Sequence, residues 1–156
     1  MKGNLKIIEK LNDLLSDELT AINQYMVHAE MNENWGYEKL HAADKKRAIE
    51  EMKHAEALIA RIIFLEGTPT VSRLKDIHIG KDVELQHKND LASEYGAAKS
   101  YNDGIRLTQE LADNGTRELL DTILKDEEAH IDWLEAQLDQ IQQTGIQNYL
   151  AEQLKP

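Results

Sequence analysis

The chain has 156 residues, enough for a single domain with a sizeable hydrophobic core. It contains no cysteine, which excludes disulfides, thiolate-bound zinc and iron–sulfur clusters, so any metal must be held by oxygen and nitrogen atoms. The net charge of -11 disfavours binding to nucleic-acid phosphates and concentrates cations near the surface, although solubility alone is the commonest reason for such a charge.

Two amphipathic helices are predicted in the first part of the chain, one over about 5–34 and one over about 38–65. In each, apolar side chains recur at steps of three and four, and Gly36 separates the two helices. The next segment, 66–82, reads "EGTPTVSRLKDIHIGKD", and its glycine and proline residues predict an ordered, extended connection. A segment of this length can travel along a helix of about 28 residues, which permits a crossover between parallel helices.

The second part of the chain repeats this pattern. Asp82 is the predicted N-cap of a third helix over about 83–111. The turn "DNGT" follows, and we expect Thr116 to cap a fourth helix over about 116–144, with Gly145 at its end. The sequence therefore predicts four long helices, in two pairs that the extended connection joins.

A short amphipathic segment over about 146–154 follows the fourth helix. It is too short to be helical alone, and its apolar side chains share one face. These side chains are Ile146, Tyr149, Leu150 and Leu154. We expect neighbouring subunits to supply the surface that covers this face. The predicted fold class is all-α: a four-helix bundle with a long crossover connection and a short C-terminal fifth helix, in a single domain over 1–156.

The N-terminal residues "MKGNLKIIEKLNDLL" lack the apolar core of a signal peptide. No run of about 18 apolar residues is present that could span a membrane. We therefore expect a cytoplasmic protein that binds neither a membrane nor nucleic acid.

The tetrad Glu-x-x-His occurs four times, which makes it weak evidence for a site when taken alone. The four copies are Glu38/His41, Glu51/His54, Glu84/His87 and Glu127/His130. Only two of them belong to a longer repeat in which one constant shift in residue number maps one half of the chain onto the other. This shift maps Glu18, Glu51 and His54 onto Glu94, Glu127 and His130, and it maps Tyr25 onto Tyr101. The repeat predicts two half-sites related by a pseudo-two-fold axis.

The spacing within each half-site suits metal binding. Residues three apart lie on one face of a helix, so a carboxylate and an imidazole can reach the same ion. All six positions lie roughly a dozen residues into their helices and can meet at mid-height in a bundle. Buried acids without partners would cost several kcal/mol each, and the apolar stripes around them carry few Lys or Arg residues that could pair with them. Two divalent cations would balance this charge, and the oxygen-rich ligand set favours iron or manganese over structural zinc.

The other two tetrads are predicted to lie outside this cluster. His87 is nearly in phase with Glu94 but lies two turns away, roughly 10 Å along the helix axis, which is too far to share an ion. Glu38 and His41 begin a helix among lysines, and we expect a solvated helix end there.

Over its whole length the sequence resembles the bacterioferritins. The resemblance rests on "DELTAINQY" at 17–25, "NWG" at 34–36, "EEMKHA" at 50–55, "FLEG" at 64–67, "DEEAHIDWLE" at 126–135 and "IQNYL" at 146–150. It implies a ferritin-like four-helix bundle and a ferroxidase that oxidises iron(II) with oxygen or peroxide. It also implies storage of ferric mineral in a hollow shell of 24 identical subunits built from dimers, with the C-terminal segments at the four-fold axes.

The same resemblance assigns roles to particular residues. Two non-haem iron ions per subunit would be bound by the six repeated Glu and His residues, with Glu51 and Glu127 bridging. Haem b would lie between two-fold related subunits and be ligated by Met52 from each, a position that would otherwise suggest only core packing. Tyr25 would supply an electron during oxidation, although a plain core aromatic explains it equally well.

One feature departs from the family pattern. Some members have a further iron site on the cavity wall, formed by a His and an Asp, and those positions here are Lys46 and Glu50. Because lysine is a poor iron ligand at neutral pH, the resemblance does not carry over to this chain the iron relay through that spot or the electron transfer from mineral to haem. The resemblance also implies a ferredoxin-type reductant for iron release.

Three other functions compete with this interpretation. A di-iron peroxidase of the rubrerythrin type could use a similar bundle, but the chain lacks the cysteine pairs of that family's usual electron-transfer domain. A DNA-protecting mini-ferritin would place its metals between subunits, and a helical interaction module would need no inward acids. The number of metal ions per subunit distinguishes these possibilities.

Overall fold

The computed structural model describes all 156 residues and contains five α-helices and no strand. The helices are α1 (Leu5–Trp35), α2 (Glu38–Phe64), α3 (Val83–Glu110), α4 (Asn114–Thr144) and α5 (Ile146–Ala151). The predicted all-α fold is thereby confirmed. None of the helices is both long enough and apolar enough to cross a membrane.

The four long helices form two pairs. α1 packs chiefly against α2, and α3 packs chiefly against α4. The direction of α3 follows from its contacts with α1: Lys10 reaches Ser100 at one end, whereas Gln24 reaches Asp90 at the other. α1 and α3 are therefore antiparallel, and α2 and α3 run in the same direction. The main apolar core lies between the pairs and contains Ile7, Leu11, Leu14, Leu15, Ala55, Leu58, Ile62, Leu65, Tyr101, Leu120, Ile123 and Leu124.

The connection between α2 and α3 is fastened to α1 by hydrogen bonds along its length. Four polar side chains of α1 accept hydrogen bonds from backbone N–H groups of the connection. In order, the acceptors Asn12, Thr20, Gln24 and His28 bind the N–H groups of Thr70, Lys75, His78 and Gly80, at 2.8 to 3.1 Å. The connection thus runs parallel to α1 from one end of the bundle to the other, as the crossover prediction requires. These four backbone donors are satisfied without any strand partner.

The helix ends follow the sequence signals with one exception. Gly36 ends α1 in the left-handed region, with a φ of 83°, where a side chain would be strained. The carboxylate of Asp82 caps α3 by accepting a hydrogen bond from the N–H of Leu85. The predicted cap of α4 was wrong. Asp113, not Thr116, caps this helix, because its carboxylate accepts hydrogen bonds from both the N–H and the hydroxyl of Thr116.

The C-terminal segment packs against its own subunit, which corrects the expectation that only neighbouring subunits cover it. The side chain of Tyr149 is 3% exposed and packs with Leu40, Val83 and Ile141. Its hydroxyl donates a hydrogen bond of 2.7 Å to the side-chain carbonyl of Gln137. A tyrosine with a polar partner inside the subunit can be buried without a neighbouring chain.

The fifth helix is also shorter than expected, since it ends at Ala151 and not near residue 154. The chain turns there, and the backbone carbonyl of Gln153 accepts a hydrogen bond from the N–H of Lys39 at the start of α2. Two apolar side chains of the segment stay uncovered: Ile146 is 37% exposed and Leu154 is 51% exposed.

Candidate metal centre

The six repeated Glu and His residues meet in the middle of the bundle. Each of the six is at most 6% exposed, and they are Glu18, Glu51, His54, Glu94, Glu127 and His130. Their side-chain ligand atoms form two overlapping groups within which all atoms lie inside 4.8 Å. One group is Glu18, Glu51, His54 and Glu127, and the other is Glu51, Glu94, Glu127 and His130. Two residues, Glu51 and Glu127, belong to both groups, which is the placement that bridging ligands need.

Both imidazoles direct Nδ1 into the cluster. Nδ1 of His54 lies 2.9 Å from a carboxylate oxygen of Glu127 and 3.5 Å from one of Glu18. Nδ1 of His130 lies 3.3 Å from a carboxylate oxygen of Glu51 and 3.3 Å from one of Glu94. Nδ1 is therefore the nitrogen that each histidine could offer to a metal ion.

The outward-facing nitrogen of each histidine is held by a further carboxylate. Nε2 of His54 lies 2.8 Å from Asp126, and Nε2 of His130 lies 2.5 Å from Glu50. When Nε2–H donates to a carboxylate, the tautomer is fixed and the lone pair stays on Nδ1. The sequence analysis missed these two roles. The constant shift that relates the two half-sites also maps Glu50 onto Asp126, and this signal could have found the pair.

Lys46 and Glu50, where the sequence departs from the pattern of some relatives, contact each other at the surface. Lys46 is exposed, and its ammonium nitrogen lies 4.0 Å from Glu50. The other oxygen of the Glu50 carboxylate is the one that contacts His130. Glu50 therefore contacts a residue of the buried cluster and a lysine at the surface.

Two buried tyrosines cross-link the half-sites. The hydroxyl of Tyr25 donates to Glu94, and the hydroxyl of Tyr101 donates to Glu18 at 2.5 Å. Both phenols are 0% exposed. Burial, followed by the negative charge of Glu94, raises the pKa of Tyr25; burial, followed by the charge of Glu18, raises the pKa of Tyr101. Both phenols therefore keep their protons at neutral pH.

The cluster contains many buried polar atoms that lack a hydrogen-bond partner. They are Oε2 of Glu18, Oε1 of Glu51, Oε2 of Glu94, both carboxylate oxygens of Glu127, and Nδ1 of His54 and His130. All of these atoms belong to the six clustered residues and face one another. Buried polar atoms are almost always paired, so a group of unpaired atoms that converge on one place indicates a missing cationic partner.

The charges of the clustered side chains also indicate a site for cations. Burial and the charge of Glu51 raise the pKa of Glu18, and burial with the charges of Glu94 and Glu51 raises that of Glu127. Burial opposes the charged form of His130, but Glu51 and Glu94 raise its pKa to about 10. Charged carboxylates this close together repel one another, and two divalent cations would balance their charge. The donor set of four carboxylates and two imidazoles fits iron.

A buried arginine next to the cluster was not anticipated from the sequence. Arg47 is 4% exposed, and its guanidinium carbon lies 4.5 Å from the centre of the Tyr25 ring. The guanidinium donates hydrogen bonds to Asp44 at 2.6 Å and to Asp90 at 3.1 Å. The guanidinium of Arg47, held by these two carboxylates, covers one face of the Tyr25 ring.

The two remaining tetrads lie outside the centre. Nε2 of His87 lies 3.0 Å from the hydroxyl of Tyr149, so this histidine packs the C-terminal segment. His41 is not solvated as expected, because its Nδ1 lies 2.8 Å from the backbone carbonyl of Ala29. The start of α2 packs against α1, which partly buries the imidazole.

Met52 lies away from the centre, on the outer face of α1 and α2. Its side chain is 45% exposed and borders an apolar pocket of about 260 Å³. The other apolar residues of the pocket are Ile22, Met26, Ala29, Ala48 and Ile49. A second, polar groove of about 520 Å³ lies beneath the crossover connection and reaches Glu18, Glu51, Glu94 and Glu127 from the surface.

The relatives of the chain were identified by sequence comparison. The family model described as a ferritin-like domain matches residues 8–144. A bacterioferritin from Brucella melitensis biotype 1 is 43% identical over 149 residues, which cover 96% of this chain and 92% of the relative. A bacterioferritin from Mycolicibacterium paratuberculosis is 40% identical over 152 residues, which cover 97% of this chain and 96% of the relative. With its helical bundle and its buried carboxylate and imidazole cluster, the chain belongs to the bacterioferritin family of ferritin-like proteins.

Proposed function

We propose that this protein stores iron and that each subunit is a ferroxidase, which oxidises two iron(II) ions with dioxygen or peroxide. One observation carries the proposal: the unpaired, buried ligand atoms of six residues converge in two overlapping groups. In this assignment Glu18 and His54 bind one ion, Glu94 and His130 bind the other, and Glu51 and Glu127 bridge them. Carboxylate-rich sites stabilise iron(III) over iron(II), which favours the oxidation.

The residues around the site supply binding, orientation and proton transfer. The acidic groove beneath the crossover offers iron(II) a route from the surface to Glu18 and Glu94. Asp126 and Glu50 hold the imidazoles so that Nδ1 meets the arriving ion. Metal ligands must be deprotonated, so binding of iron(II) would release protons from the carboxylates and imidazoles of the cluster.

Storage requires an assembly, and we propose the hollow 24-subunit shell built from dimers that the family resemblance implies. Haem b would lie at the two-fold interfaces with Met52 as ligand, since the pocket beside it is apolar and open on one side. We further propose that the protein works in the cytoplasm and that a ferredoxin-type protein delivers electrons for iron release.

Anaerobic titration of the metal-free assembly with iron(II) tests the proposal. We expect about two ions per subunit to bind, followed by rapid oxidation when oxygen is admitted. Glu127→Ala and His54→Ala should each abolish the fast phase, because each removes a ligand from the cluster. Glu38→Ala is the matched control, since Glu38 has the same position in a tetrad outside the cluster and is exposed, and it should leave the fast phase unchanged. Unchanged fast oxidation in both cluster variants would refute the assignment.

A further inference from the structure

The cluster has two buried phenols in equivalent positions, and the family resemblance assigns a role to only one of them. Tyr25 and Tyr101 are related by the shift that relates the two half-sites, and each donates its hydroxyl to the non-bridging glutamate of the opposite half. Glu94 belongs to one ion-binding group and Glu18 to the other. Each proposed iron position therefore has a phenol of its own.

We propose that Tyr101 is a second redox-active tyrosine that donates one electron and one proton during oxygen reduction at this centre. The inference rests on the ferroxidase function proposed above and names a residue that takes part in that same site. Tyr101 acts through Glu18, whose Oε1 accepts the phenol hydrogen while Oε2 faces the cluster. The carboxylate thus lies between the phenol and the ion-binding position.

The surroundings of Tyr101 argue against a purely structural reason for its hydroxyl. Its ring belongs to the main apolar core, together with Leu14 and Leu120. A phenylalanine would fill the same space without burying a polar group, which is costly unless that group is hydrogen-bonded. The only recorded hydrogen bond of this hydroxyl is the one to Glu18. The hydroxyl group therefore interacts with the cluster, through Glu18, and does not contribute to the packing of the core.

The electron balance of oxygen reduction requires two electrons beyond those of the iron ions, and two phenols can supply them. Reduction of dioxygen to two water molecules needs four electrons and four protons, and two iron(II) ions supply only two electrons. Two tyrosines supply the other two electrons and two protons, and solvent supplies the last two protons: 2 Fe²⁺ + 2 Tyr–OH + O₂ + 2 H⁺ → 2 Fe³⁺ + 2 Tyr–O• + 2 H₂O. The O–O bond breaks, the two phenolic O–H bonds break, and four O–H bonds form. If both phenols are lost, the two iron(II) ions of one centre can reduce dioxygen only to hydrogen peroxide.

Freeze-quench electron paramagnetic resonance of the unmodified protein and four variants tests this inference after two iron(II) ions per subunit are mixed with oxygen. Tyr25→Phe and Tyr101→Phe should each retain roughly half of the tyrosyl radical, because the two phenols contribute independently. The double variant should show no tyrosyl radical and should release hydrogen peroxide. Tyr95→Phe is the matched control: Tyr95 lies on α3 but is exposed and bonds Glu135 instead, so the signal should not change.

Anaerobic cobalt(II) titration of the same proteins separates a redox role from a structural one without any iron chemistry. All variants should bind two cobalt ions per subunit as the unmodified protein does, because the substitution is nearly isosteric and removes no ligand. A Tyr25→Phe variant with no remaining radical would overturn the inference, as would a Tyr101→Phe variant that loses a cobalt site. Absence of fast iron oxidation in the unmodified protein would instead overturn the ferroxidase proposal.

Discussion

His87 and His130 occupy the same position in two Glu-x-x-His tetrads, and both are buried, but their imidazoles have opposite surroundings. Carboxylates surround Nδ1 of His130 and favour its protonated form. His87 instead contacts the hydroxyl of Tyr149 and lies within the field of Arg47. Burial, followed by the positive charge of Arg47, lowers the pKa of His87 to about 3. His87 is therefore neutral in the folded subunit.

This difference predicts how stability depends on pH. In the unfolded chain His87 takes up a proton below about pH 6.5, whereas in the folded subunit it does so only near pH 3. Its contribution to stability is therefore complete above pH 6.5 and decreases as the pH falls, by at most about 1.4 kcal/mol per pH unit. Thermal unfolding of metal-free protein should be measured at pH 7.5 and 5.5. Between these pH values His87→Gln should lose less stability than the unmodified chain.

The charged and titratable groups around His87 are Arg47, Asp90, His28 and Tyr149, and none of them is altered by the substitution. His78→Gln is the matched control, because His78 is exposed on the crossover connection. This variant should lose as much stability on acidification as the unmodified protein. If His87→Gln shows the same loss as well, the imidazole of His87 does not contribute to the acid sensitivity.

The sequence predicts which residues form the cluster but not all of those that support it. The six cluster residues were recognisable because they interrupt apolar stripes and repeat at one constant shift. Glu50 and Asp126 lie on partly exposed helix faces, where a single carboxylate looks like any solvated charge. Arg47 was equally inconspicuous, because its partner Asp90 lies on another helix and only the folded bundle brings them together.

At the level of the helices, α1 and α2 form an apolar pocket on their outer face, which is not packed against another helix of the subunit. Met26 is 49% exposed and Met52 is 45% exposed, and both border this pocket. Two copies of such a pocket, related by a two-fold axis, would enclose a flat apolar group between them. The proposed haem would therefore be ligated by one methionine from each of two subunits.

Replacement of Met52 by leucine should remove the bis-methionine haem spectrum while fast iron oxidation persists. The substitution is nearly isosteric and lies outside the cluster, so folding should be retained. Met26→Leu is the matched control, because it changes the other methionine of the same pocket and should leave the spectrum intact. Absorption spectroscopy of haem-reconstituted protein distinguishes the two variants. A haem spectrum that survives in Met52→Leu would assign the axial ligand to another residue.

The four long helices were predictable because each carries its own periodicity and its own end signals. The short fifth helix was predicted, but its end and its docking on the same subunit were not, since they depend on contacts that no local pattern records. Gly145 has a φ of 82°, and the chain turns there so that Tyr149 meets His87 and Gln137. A segment of six helical residues gains its stability from this docking and not from its own hydrogen bonds.

At the scale of the whole molecule, the surface left uncovered by the subunit indicates where other subunits bind. The C-terminal segment buries Tyr149 internally but leaves Ile146 and Leu154 exposed. Exposed apolar side chains contribute little to the folding stability of one subunit. In a closed assembly they recur at every symmetry-related interface, so a small effect per subunit is multiplied. Storage of ferric mineral depends on this closure, because mineral that forms on an open dimer would meet bulk solvent and precipitate.

Leu154→Asp should therefore weaken the shell while the fast oxidation phase persists, because the new charge would be desolvated at the interface but lies far from the metal cluster. Light scattering before and after iron loading measures the particle mass, and centrifugation measures the mineral that is retained. Gln147→Asp is the matched control: it adds the same charge to an exposed position of the same segment and tests whether charge alone disrupts assembly. Equal loss in both variants would attribute the effect to charge repulsion. A full-length protein that stays monomeric or dimeric at micromolar concentration would contradict the storage proposal, even if each subunit oxidises iron rapidly.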